Sequence, residues 1–479
     1  MTPISLYNTL TNRVEPLDPV HPGEIRMYTC GPTVYAFAHI GNFRTFVFQD
    51  VLRRFLHSQG YRVLQVMNVT DVDDRIIQAA GAAGVGIREY AEKYLQAFLG
   101  DLAALHIQTP EELVRATDHI EDMVALIEKL QQKGLTYTSD GSIYFRIAGF
   151  AGYGKLSKID LAGIQPGARV DVDQYEKQDA RDFALWKAPK PGEPFWETRI
   201  GPGRPGWHVE CSAMAMKYLG ETLDIHTGGV DLAFPHHENE IAQSEAATGK
   251  PFVRHWLHAE HLIIDGQKMS KSLGNFYTLR DLFAKGQKPS TVRFLLLSVP
   301  YRRQLNFTED GLTQAKNSVE RLRNFLARLK APKFAAGTNP EVQKRIEKAE
   351  RDFDAGLADD INTAVALAAT FDLVRDINTA MDREALLQQD ALRAVAAMEK
   401  FDGILAVLAD DDDATLRELG IGSAQPRLDA AQVETLIEER NAAKRRRDFP
   451  RADAIRQQLA DSGILLEDAK DGSVRWKYK

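Results

Sequence analysis

The chain has few of the features that mark a secreted, membrane-bound or globally basic protein. Its 479 residues include only two cysteines, Cys30 and Cys211, too few for a disulfide framework and typical of a reducing compartment. No apolar run approaches the ~20 residues of a membrane span, and no secretory signal pattern opens the chain. The net charge of −7 means that a nucleic acid would have to bind a local basic face. We therefore expect a cytoplasmic protein without membrane contact.

Two short motifs, far apart in the sequence, indicate chemistry on a nucleotide. His-Ile-Gly-Asn occupies residues 39–42, at a predicted strand-to-helix turn where backbone N–H groups can meet a phosphate. Lys-Met-Ser-Lys-Ser occupies residues 268–272 and places two ammonium groups on a short loop, as a clamp on a triphosphate requires. Either motif alone is common on surface turns. Together and in this order, they indicate ATP-dependent adenylyl transfer.

Hydrophobic patterns around the first motif predict a β–α–β unit. Residues 26–30 and 63–69 have the character of short strands, and a helical pattern between them ends at Gly60. Such a unit predicts a parallel sheet with residues 39–42 at the carboxyl end of its first strand, where open α/β sheets bind ligands. A further strand at 262–264, followed by an Asp-Gly turn, would present the lysine loop.

The patterns predict about three or four domains. Turn clusters interrupt the α/β rhythm after the first half of the sheet domain, and helical spacing replaces it beyond Thr308, a predicted N-cap. The predicted segments are the first half of the sheet domain (1–119), an insertion (120–205), the second half with the lysine loop (206–307), a helical bundle (308–408), an acidic linker (409–424) and a C-terminal domain (425–479). The fold class is therefore α/β, a parallel-sheet domain with an insertion, followed by an α-helical bundle and a small α+β domain.

The C-terminal domain combines a basic run with aromatic residues. A predicted helix carries the basic run at 444–447, and a hairpin ends in an alternating strand at 474–478. Basic side chains beside an exposed aromatic strand form an RNA platform, although a solvated helical face would have the same composition. The candidate RNA contacts are Arg445, Arg446, Arg447 and Trp476.

The two cysteines and a histidine-rich stretch form a candidate metal-ligand set. Cys30 ends the first strand, Cys211 lies far downstream, and His236 and Glu240 would share one face of a helix four residues apart. Two thiolates, an imidazole and a carboxylate suit zinc, although the spacing is not that of a zinc finger. His237 is a rival ligand that the spacing does not exclude, and buried cysteines beside a polar helix start explain the pattern without a metal.

In combination these motifs resemble those of the cysteinyl-tRNA synthetases, class I aminoacyl-tRNA synthetases of Rossmann type. The resemblance covers nearly the whole chain and follows one order. It rests on residues 30–35, 39–42, 68–74, 204–212, 228–232, 235–240, 268–272 and 451–453. Asn42 stands where the general class I motif has a second histidine. Asparagine also occurs there in this family, and it keeps a donor but cannot carry charge.

The resemblance implies a set of residues for each substrate. One zinc ion per chain would be held by Cys30, Cys211, His236 and Glu240. The zinc would take the sulfur of the substrate cysteine and reject serine without an editing domain, while Thr70 and Trp207 would orient and enclose that substrate. The residues implied to contact ATP and its Mg²⁺ are His39, Gly41, Asn42, Gly229, Asp231, Lys268 and Lys271.

The implied activity is ligation of L-cysteine to tRNA(Cys), through a cysteinyl-adenylate that passes its cysteinyl group to the 3′-terminal ribose. Residues 206–307 would then include a stem-contact region, residues 425–479 would bind the anticodon, and a monomer is favoured. The alternative is a cysteine ligase with an amino-sugar acceptor on the same catalytic core, but such enzymes lack a C-terminal RNA module. A non-catalytic paralogue would have lost phosphate-clamp residues, and a nucleotidylyltransferase would not need the cysteine-directed ligands.

Overall fold

The structure, a computed structural model, describes residues 3–158, 181–270, 273–330, 334–409, 411–421, 430–446, 448–461, 464–468 and 474–478. The chain forms two compact units, Met1–Leu419 and Gly420–Lys479. Within the described ranges, no helix combines the length and the apolar character that crossing a membrane requires.

The strands are numbered in chain order. They are β1 (Ser5–Asn8), β2 (Arg13–Pro16), β3 (Glu24–Thr29), β4 (Arg62–Val69), β5 (Glu112–Arg115), β6 (Thr136–Ser139), β7 (Ser142–Phe145), β8 (Phe183–Lys187), β9 (Arg204–Pro205), β10 (Leu223–Gly229), β11 (Val253–Ala259), β12 (Leu262–Ile264), β13 (Gln267–Lys268), β14 (Leu305–Phe307), β15 (Ile464–Asp468) and β16 (Val474–Tyr478).

The α-helices are numbered in the same way. They are α1 (Ile40–Ser58), α2 (Asp74–Ala83), α3 (Ile87–Ala104), α4 (Ile120–Gln132), α5 (Trp207–Leu219), α6 (Glu238–Thr248), α7 (Leu279–Ala284), α8 (Pro289–Leu297), α9 (Glu309–Lys330), α10 (Pro340–Ala358), α11 (Thr363–Asp382), α12 (Gln388–Leu405), α13 (Asp412–Glu418), α14 (Ala430–Arg445) and α15 (Phe449–Asp461).

Five parallel strands form the sheet that carries the site. Their order is β11-β10-β3-β4-β5, and every neighbouring pair is parallel. The chain lays down β3 first, adds β4 and β5 on one side, and later adds β10 and β11 on the other. This reversal opens a crevice at the carboxyl ends of β3 and β10, the position at which doubly wound sheets bind ligands.

The predicted β–α–β unit is confirmed. β4 pairs with β3 in parallel over the whole length of β3, and α1 connects them. The side chains of Phe43, Val47, Val51 and Phe55 are buried at intervals of four residues, which is the spacing of one helix face. α1 contacts the sheet as well as α8 and α12, so its N-terminus is held firmly at the crevice.

A separate antiparallel sheet interrupts the α/β pattern between β5 and β10. Its order is β6-β7-β8-β9, and it occupies the described part of the predicted insertion, whose residues 159–180 lie outside the described ranges. One buried apolar cluster includes Ile127, Phe145 and Trp186 together with Met214 of α5. Because this core is continuous with that of the sheet domain, the limits of the insertion stay a prediction.

The predicted strand and turn before the lysine loop are confirmed. β12 pairs with β13 antiparallel and with β14 in parallel. Asp265 and Gly266, between β12 and β13, both have positive φ values, 47° and 75°, which the Asp-Gly pair tolerates. The turn between β12 and β13 therefore places Lys268, the first residue of the lysine loop, at the end of β13.

The helical region begins where the sequence predicts it. The backbone N–H of Gly311 donates to Thr308 Oγ1 at 3.0 Å, so Thr308 caps α9 as expected. Leu312, Ala315, Val319 and Leu322 are buried on one face of α9, and α10, α11 and α12 follow. The predicted helical pattern is confirmed in these helices.

The segment 409–424 differs from a simple acidic linker. Part of it forms α13, and the carboxylate of Asp412 is buried there. This carboxylate accepts hydrogen bonds from the backbone N–H and the hydroxyl of Ser290 at 2.8 and 2.7 Å, and it pairs with Arg323 at 3.0 Å. Asp412 therefore satisfies an N-terminal N–H of α8, a role that composition alone does not reveal.

The second unit, taken by itself, contains the two predicted helices and the hairpin. α14 and α15 contact each other, and β15 pairs with β16 antiparallel. Its buried core consists of Val433, Ile437, Ile455, Leu459 and Ile464. Trp476 packs against this core and is half-buried, so the prediction of an exposed aromatic strand is wrong at this residue.

Candidate active site

The structure brings the four predicted metal ligands together at the crevice. Cys30 follows β3, Cys211 lies in the second turn of α5, His236 lies in the helical turn just before α6, and Glu240 lies in the first turn of α6. All four side chains are buried, and their ligand atoms lie within 4.8 Å of one another. Zinc–sulfur and zinc–nitrogen bonds of about 2.3 and 2.0 Å in a tetrahedron require ligand atoms that are similarly close, so the four residues fit one zinc ion.

A second group of four residues shares two members with the first. It consists of Cys30, His226, His237 and Glu240, also buried and equally close. His237, the rival ligand in the sequence, lies with its Nε2 at 3.3 Å from Cys30 Sγ. This second group offers one thiol where the first offers two. Because thiolates are preferred zinc ligands, the donor chemistry favours the first group.

His226 is a hydrogen-bond partner of the ligand Glu240 and is not one of the four favoured ligands. Its Nε2 lies 2.9 Å from Glu240 Oε2, and since a carboxylate only accepts, this nitrogen carries the proton. His237 Nδ1 shares a proton with His258 Nε2 across 2.8 Å. Partners of this kind orient metal ligands and fix their protonation.

Negative charge on the two thiols of this group is unfavourable unless a cation balances it. Burial raises the pKa of the Cys30 thiol, and burial together with Cys30 raises that of Cys211 well above its usual range. Burial also acts to raise the pKa of Glu240, but His226 and His236 outweigh it and lower the pKa to about 2. Glu240 Oε1 is buried, and His236 Nε2, another of the four ligand atoms, lies 3.1 Å from it. A metal ion would satisfy this oxygen and deprotonate the thiols.

The two residues expected to hold the amino acid lie beside this group. Thr70 is buried directly after β4, and its Oγ1 donates to Glu210 Oε2 at 2.9 Å. Trp207 is half-buried, and its ring stacks on that of His236 with centroids 4.4 Å apart. Because Trp207 and Cys211 are four residues apart in α5, they share one helix face.

At the other side of the crevice, His39 and Asn42 form a reciprocal cap on α1. The N–H of Asn42 donates to His39 Nδ1 at 3.3 Å, and the N–H of His39 donates to Asn42 Oδ1 at 3.0 Å. Asn42 thus acts here as a neutral acceptor, a part that needs no charge. The positive end of the helix dipole lies next to these side chains, and helix N-termini attract phosphate.

The two sequence motifs meet in space. The N–H of Ile40 donates to the carbonyl of Tyr277 at 2.9 Å, and His39 forms an isolated β-bridge with Thr278. A Cβ added to Gly41 would lie 3.0 Å from His39 Nδ1 and 3.2 Å from Met269 Cε. A side chain at Gly41 would therefore crowd both motifs, which explains the glycine.

The lysine loop is held by a residue that the sequence reasoning missed. Lys268 is exposed on β13. Asn275 Oδ1 accepts from the N–H of Ser270 at 2.7 Å, and its Nδ2 donates to the carbonyl of Lys268 at 3.2 Å. Lys271, the second lysine of the motif, lies outside the described residues, so its part in phosphate binding stays a prediction.

Gly229 and Asp231 lie at the carboxyl end of β10, next to Cys30 across the sheet. Gly229 is half-buried and Asp231 is exposed. A Cβ on Gly229 would lie 2.5 Å from Asp231 Oδ1, so only glycine admits this carboxylate here. An exposed carboxylate at the crevice can accept hydrogen bonds from ribose hydroxyls.

Other residues around the ligands carried little sequence signal. Glu210, His226 and His258 are buried polar groups from a helix and two strands. A histidine inside an apolar strand is unusual, and that was the available signal for the two histidines. Of the candidate RNA contacts in the second unit, Arg445 and Arg446 are exposed, while Arg447 lies outside the described residues.

The comparisons with known proteins first define the class. Residues 16–317 match the family of the tRNA synthetases class I (C) catalytic domain, and residues 352–409 match the DALR domain. The fold is similar to that of Mycobacterium tuberculosis methionyl-tRNA synthetase in complex with methionyl-adenylate, with a TM-score of 0.58 and 18% identity, over 84% of this chain and 95% of that chain. The catalytic region is that of a class I aminoacyl-tRNA synthetase.

The curated relatives then define the family. The chain is 55% identical to the cysteine–tRNA ligase of Solibacter usitatus and 54% identical to that of Koribacter versatilis, in each case over 99% of this chain and 100% of the relative. It is 47% identical to the cysteine–tRNA ligase of Leptospira interrogans over the full length of both chains. The chain belongs to the cysteine–tRNA ligase family, which confirms the resemblance found in the sequence.

Proposed function

We propose that this protein ligates L-cysteine to tRNA(Cys) with ATP. The observation that carries the proposal is the convergence, at one crevice, of a buried group with two thiols and of the two phosphate-directed motifs. Family membership and the class I fold agree with it. The same proposal includes a cytoplasmic location, a monomeric state and ATP·Mg²⁺ as the nucleotide substrate.

Cys30, Cys211, His236 and Glu240 would hold zinc, which supplies a coordination position that favours a thiolate over a hydroxyl. The side chain of Trp207 encloses the pocket beside these ligands. Thr70, fixed by its bond to Glu210, orients the substrate. Because serine differs from cysteine by one atom, a purely steric pocket would discriminate poorly between them.

The first chemical step joins cysteine to the nucleotide. A carboxylate oxygen of cysteine attacks the α-phosphorus of ATP, an O–P bond forms, and the bond to the leaving pyrophosphate breaks. Negative charge accumulates on the phosphate oxygens, so fixed donors and cations lower the barrier. We assign this part to His39, Asn42, Lys268 and Lys271, with Gly41 admitting close approach and with Gly229 and Asp231 contacting the ribose.

The second step transfers the cysteinyl group to the terminal ribose hydroxyl of tRNA and releases AMP. In this proposal residues 1–119 and 206–307 form the catalytic domain around the insertion, and residues 308–408 form the helical bundle. Residues 425–479 bind the anticodon in this proposal, and the side chains of Arg445 and Arg446 are exposed and accessible to RNA. The presence of this unit disfavours the amino-sugar ligase.

The first experiment is transfer of labelled cysteine to unfractionated tRNA with ATP and Mg²⁺, with serine as the control and zinc measured in the same sample. We expect charging by cysteine and not by serine, with about one zinc per chain, as a closed set of four ligands implies. Cysteine-dependent pyrophosphate exchange without tRNA charging would instead favour the amino-sugar ligase.

A second experiment tests the C-terminal unit. A chain that ends before residue 421 should keep cysteine-dependent pyrophosphate exchange, because its described crevice residues all lie in Met1–Leu419. It should charge tRNA(Cys) poorly. Equal charging by the truncated and the full chain would contradict the anticodon-binding role.

A further inference from the structure

Arg280 lies at the start of α7, a few residues after the lysine loop, and contacts two other parts of the first unit. Its guanidinium carbon lies 5.3 Å from the ring centre of Phe37, two residues before His39. Its Nε lies 3.3 Å from Asp101 Oδ1 in α3. One side chain therefore connects the exit of the lysine loop to the segment that carries the phosphate motif and to a helix behind both.

The backbone around Arg280 is already tied to His39. Thr278 and Asp281 form a reciprocal cap on α7, with Thr278 N–H to Asp281 Oδ2 at 2.8 Å and Asp281 N–H to Thr278 Oγ1 at 3.2 Å. Thr278 is also the residue that forms the β-bridge with His39. Any rotation of α7 would therefore move the strand-like contact between the two motifs.

Asp101 has a buried carboxylate with few partners. Its side chain is 1% exposed, and neither oxygen makes a hydrogen bond within the described part of the chain. Among the described residues, the cation at ion-pair distance is that of Arg280. A buried carboxylate is costly unless it is paired, so Asp101 restricts where the guanidinium of Arg280 can lie.

Phe37 is the aromatic partner of Arg280. The residue is 39% exposed, and its ring contacts both the guanidinium of Arg280 and the ring of Tyr94 in α3, whose centroid is 5.3 Å away in an edge-on arrangement. A cation over an aromatic face is attracted to it. The segment before His39 is thus held between α3 and α7.

We propose that Arg280, oriented by Asp101, is a positioning residue for adenylate formation. It fixes α7 against Phe37 and so keeps Thr278 paired with His39 and the described start of the lysine loop, at Met269, beside Gly41. The inference rests on the proposed function, because the loop matters for catalysis only if the enzyme forms an adenylate. Arg280 acts through the loop and needs no contact with the substrate.

The test compares pyrophosphate exchange in Arg280→Gln and wild-type enzyme. We expect kcat to fall about tenfold, since misplacement of catalytic groups by about 1 Å is enough to cost that much. KM for cysteine should stay unchanged, because Thr70 and Trp207 are held by Glu210 and His236, not by the partners of Arg280. Arg280→Lys keeps the charge and should recover part of the rate.

Arg302→Gln is the matched control. Arg302 also combines an ion pair, with its Nε 2.5 Å from Asp360 Oδ2, and a position over an aromatic ring, 4.1 Å from the centre of Tyr7. Both of these partners, Asp360 and Tyr7, lie outside the two motifs. We expect this variant to lower the thermal midpoint while its exchange kcat stays at the wild-type value.

Asp101→Asn separates positioning from stability. Burial raises the pKa of Asp101 to about 6, against the lowering effect of Arg280. Because the pKa of Asp101 is higher in the folded than in the unfolded chain, this group stabilises the fold at pH values below its unfolded pKa. That contribution is lost as the pH rises through about 6, the pKa in the folded chain. At pH 8 the asparagine variant should therefore be at least as stable as wild type. We expect it to exchange pyrophosphate more slowly nonetheless.

Two results would overturn the inference. One is wild-type exchange in Arg280→Gln or, if that variant does not fold, in a stable Asp101→Asn. The other is an equal loss of kcat in Arg302→Gln, which would show a general effect of removing such a pair. Absence of cysteine-dependent exchange in the wild-type enzyme would instead contradict the proposed function itself.

Discussion

The two sides of the crevice differ in how deeply their side chains are buried. The thiol side, defined by Cys30, Cys211, His236 and Glu240, is buried in full and positioned by elements of the sheet domain. The phosphate side, defined by residues 39–42, 268–270 and 273–278 of the described ranges, is mostly exposed or half-buried, and a few backbone hydrogen bonds join its two segments. Under the proposed function the difference suits the two substrates: a single sulfur would be selected by fixed buried donors, whereas a triphosphate would be met by groups on a short loop that includes the exposed Lys268.

The energetic consequences also differ. Buried donors interact in a low dielectric and are insensitive to salt, while exposed ammonium groups are screened within a Debye length of about 8 Å at physiological ionic strength. Variants on the thiol side should therefore change amino-acid selection, and variants on the phosphate side should change the rate of adenylate formation.

The largest effect is expected on the thiol side, for Cys211→Ser. A hydroxyl is a poor zinc ligand, so the variant should lose bound zinc, and its KM for cysteine should rise by about a hundredfold or more, since loss of an outer-shell partner alone costs 10- to 100-fold. KM for ATP should change little. Metal analysis and exchange kinetics measure both, with Met216→Leu on the same helix as the control. Full zinc retention would refute this ligand assignment.

On the phosphate side, Lys271→Ala should slow adenylate formation about a hundredfold, the usual cost of losing one positioned donor to a charged transition state. Zinc content should remain normal, which is the outcome that separates the two sides. Lys250→Ala, whose ammonium group pairs with Glu221 at 2.6 Å, is the control for loss of a lysine. Unchanged exchange in Lys271→Ala would contradict the clamp role.

A smaller effect is expected when a partner of a thiol-side ligand is removed. His226→Ala deletes the donor to Glu240 Oε2, and zinc should be lost to a chelator at a concentration about tenfold lower than for wild type. His226→Asn keeps a donor and should lose less. Equal zinc retention in wild type and His226→Ala would show that Glu240 does not need the hydrogen bond from His226.

The smallest effect is expected for Asn275→Ala on the phosphate side. It removes the side-chain bonds to Ser270 and Lys268, and at about 0.5 kcal/mol each, the lower end for a net hydrogen bond, the two contribute about 1 kcal/mol, so kcat for exchange should fall about fivefold. Asn275→Asp keeps the acceptor for the N–H of Ser270, so its kcat should lie between those of wild type and Asn275→Ala. A larger loss than in Lys271→Ala would reverse the ranking of the two residues.

The sequence is sufficient for the groups whose position follows from local periodicity. His236 and Glu240 are four residues apart, and helical spacing alone places them on one face. The β–α–β pattern likewise places residues 39–42 at the end of a strand. In both cases one regular element decides the geometry.

What the sequence could not provide depends on contacts between distant elements. His226 and His258 come from neighbouring strands, and nothing in their spacing shows that they lie beside Glu240 or His237. The same holds for Asp412 beneath α8 and for the ion pair of Arg280 with Asp101. Trp476 was misjudged because alternation in a hairpin does not tell which face meets a helix.

The order of the central sheet has a consequence for synthesis of the chain. Cys30 leaves the ribosome long before Cys211, His236 and Glu240, because β10 is added to the sheet only after the insertion. At about 5–20 residues per second, the interval from residue 30 to residue 240 is about 10–40 s. During that time the nascent chain carries an unshielded thiol, so oxidants present during translation would damage this enzyme more than oxidants that meet the finished protein.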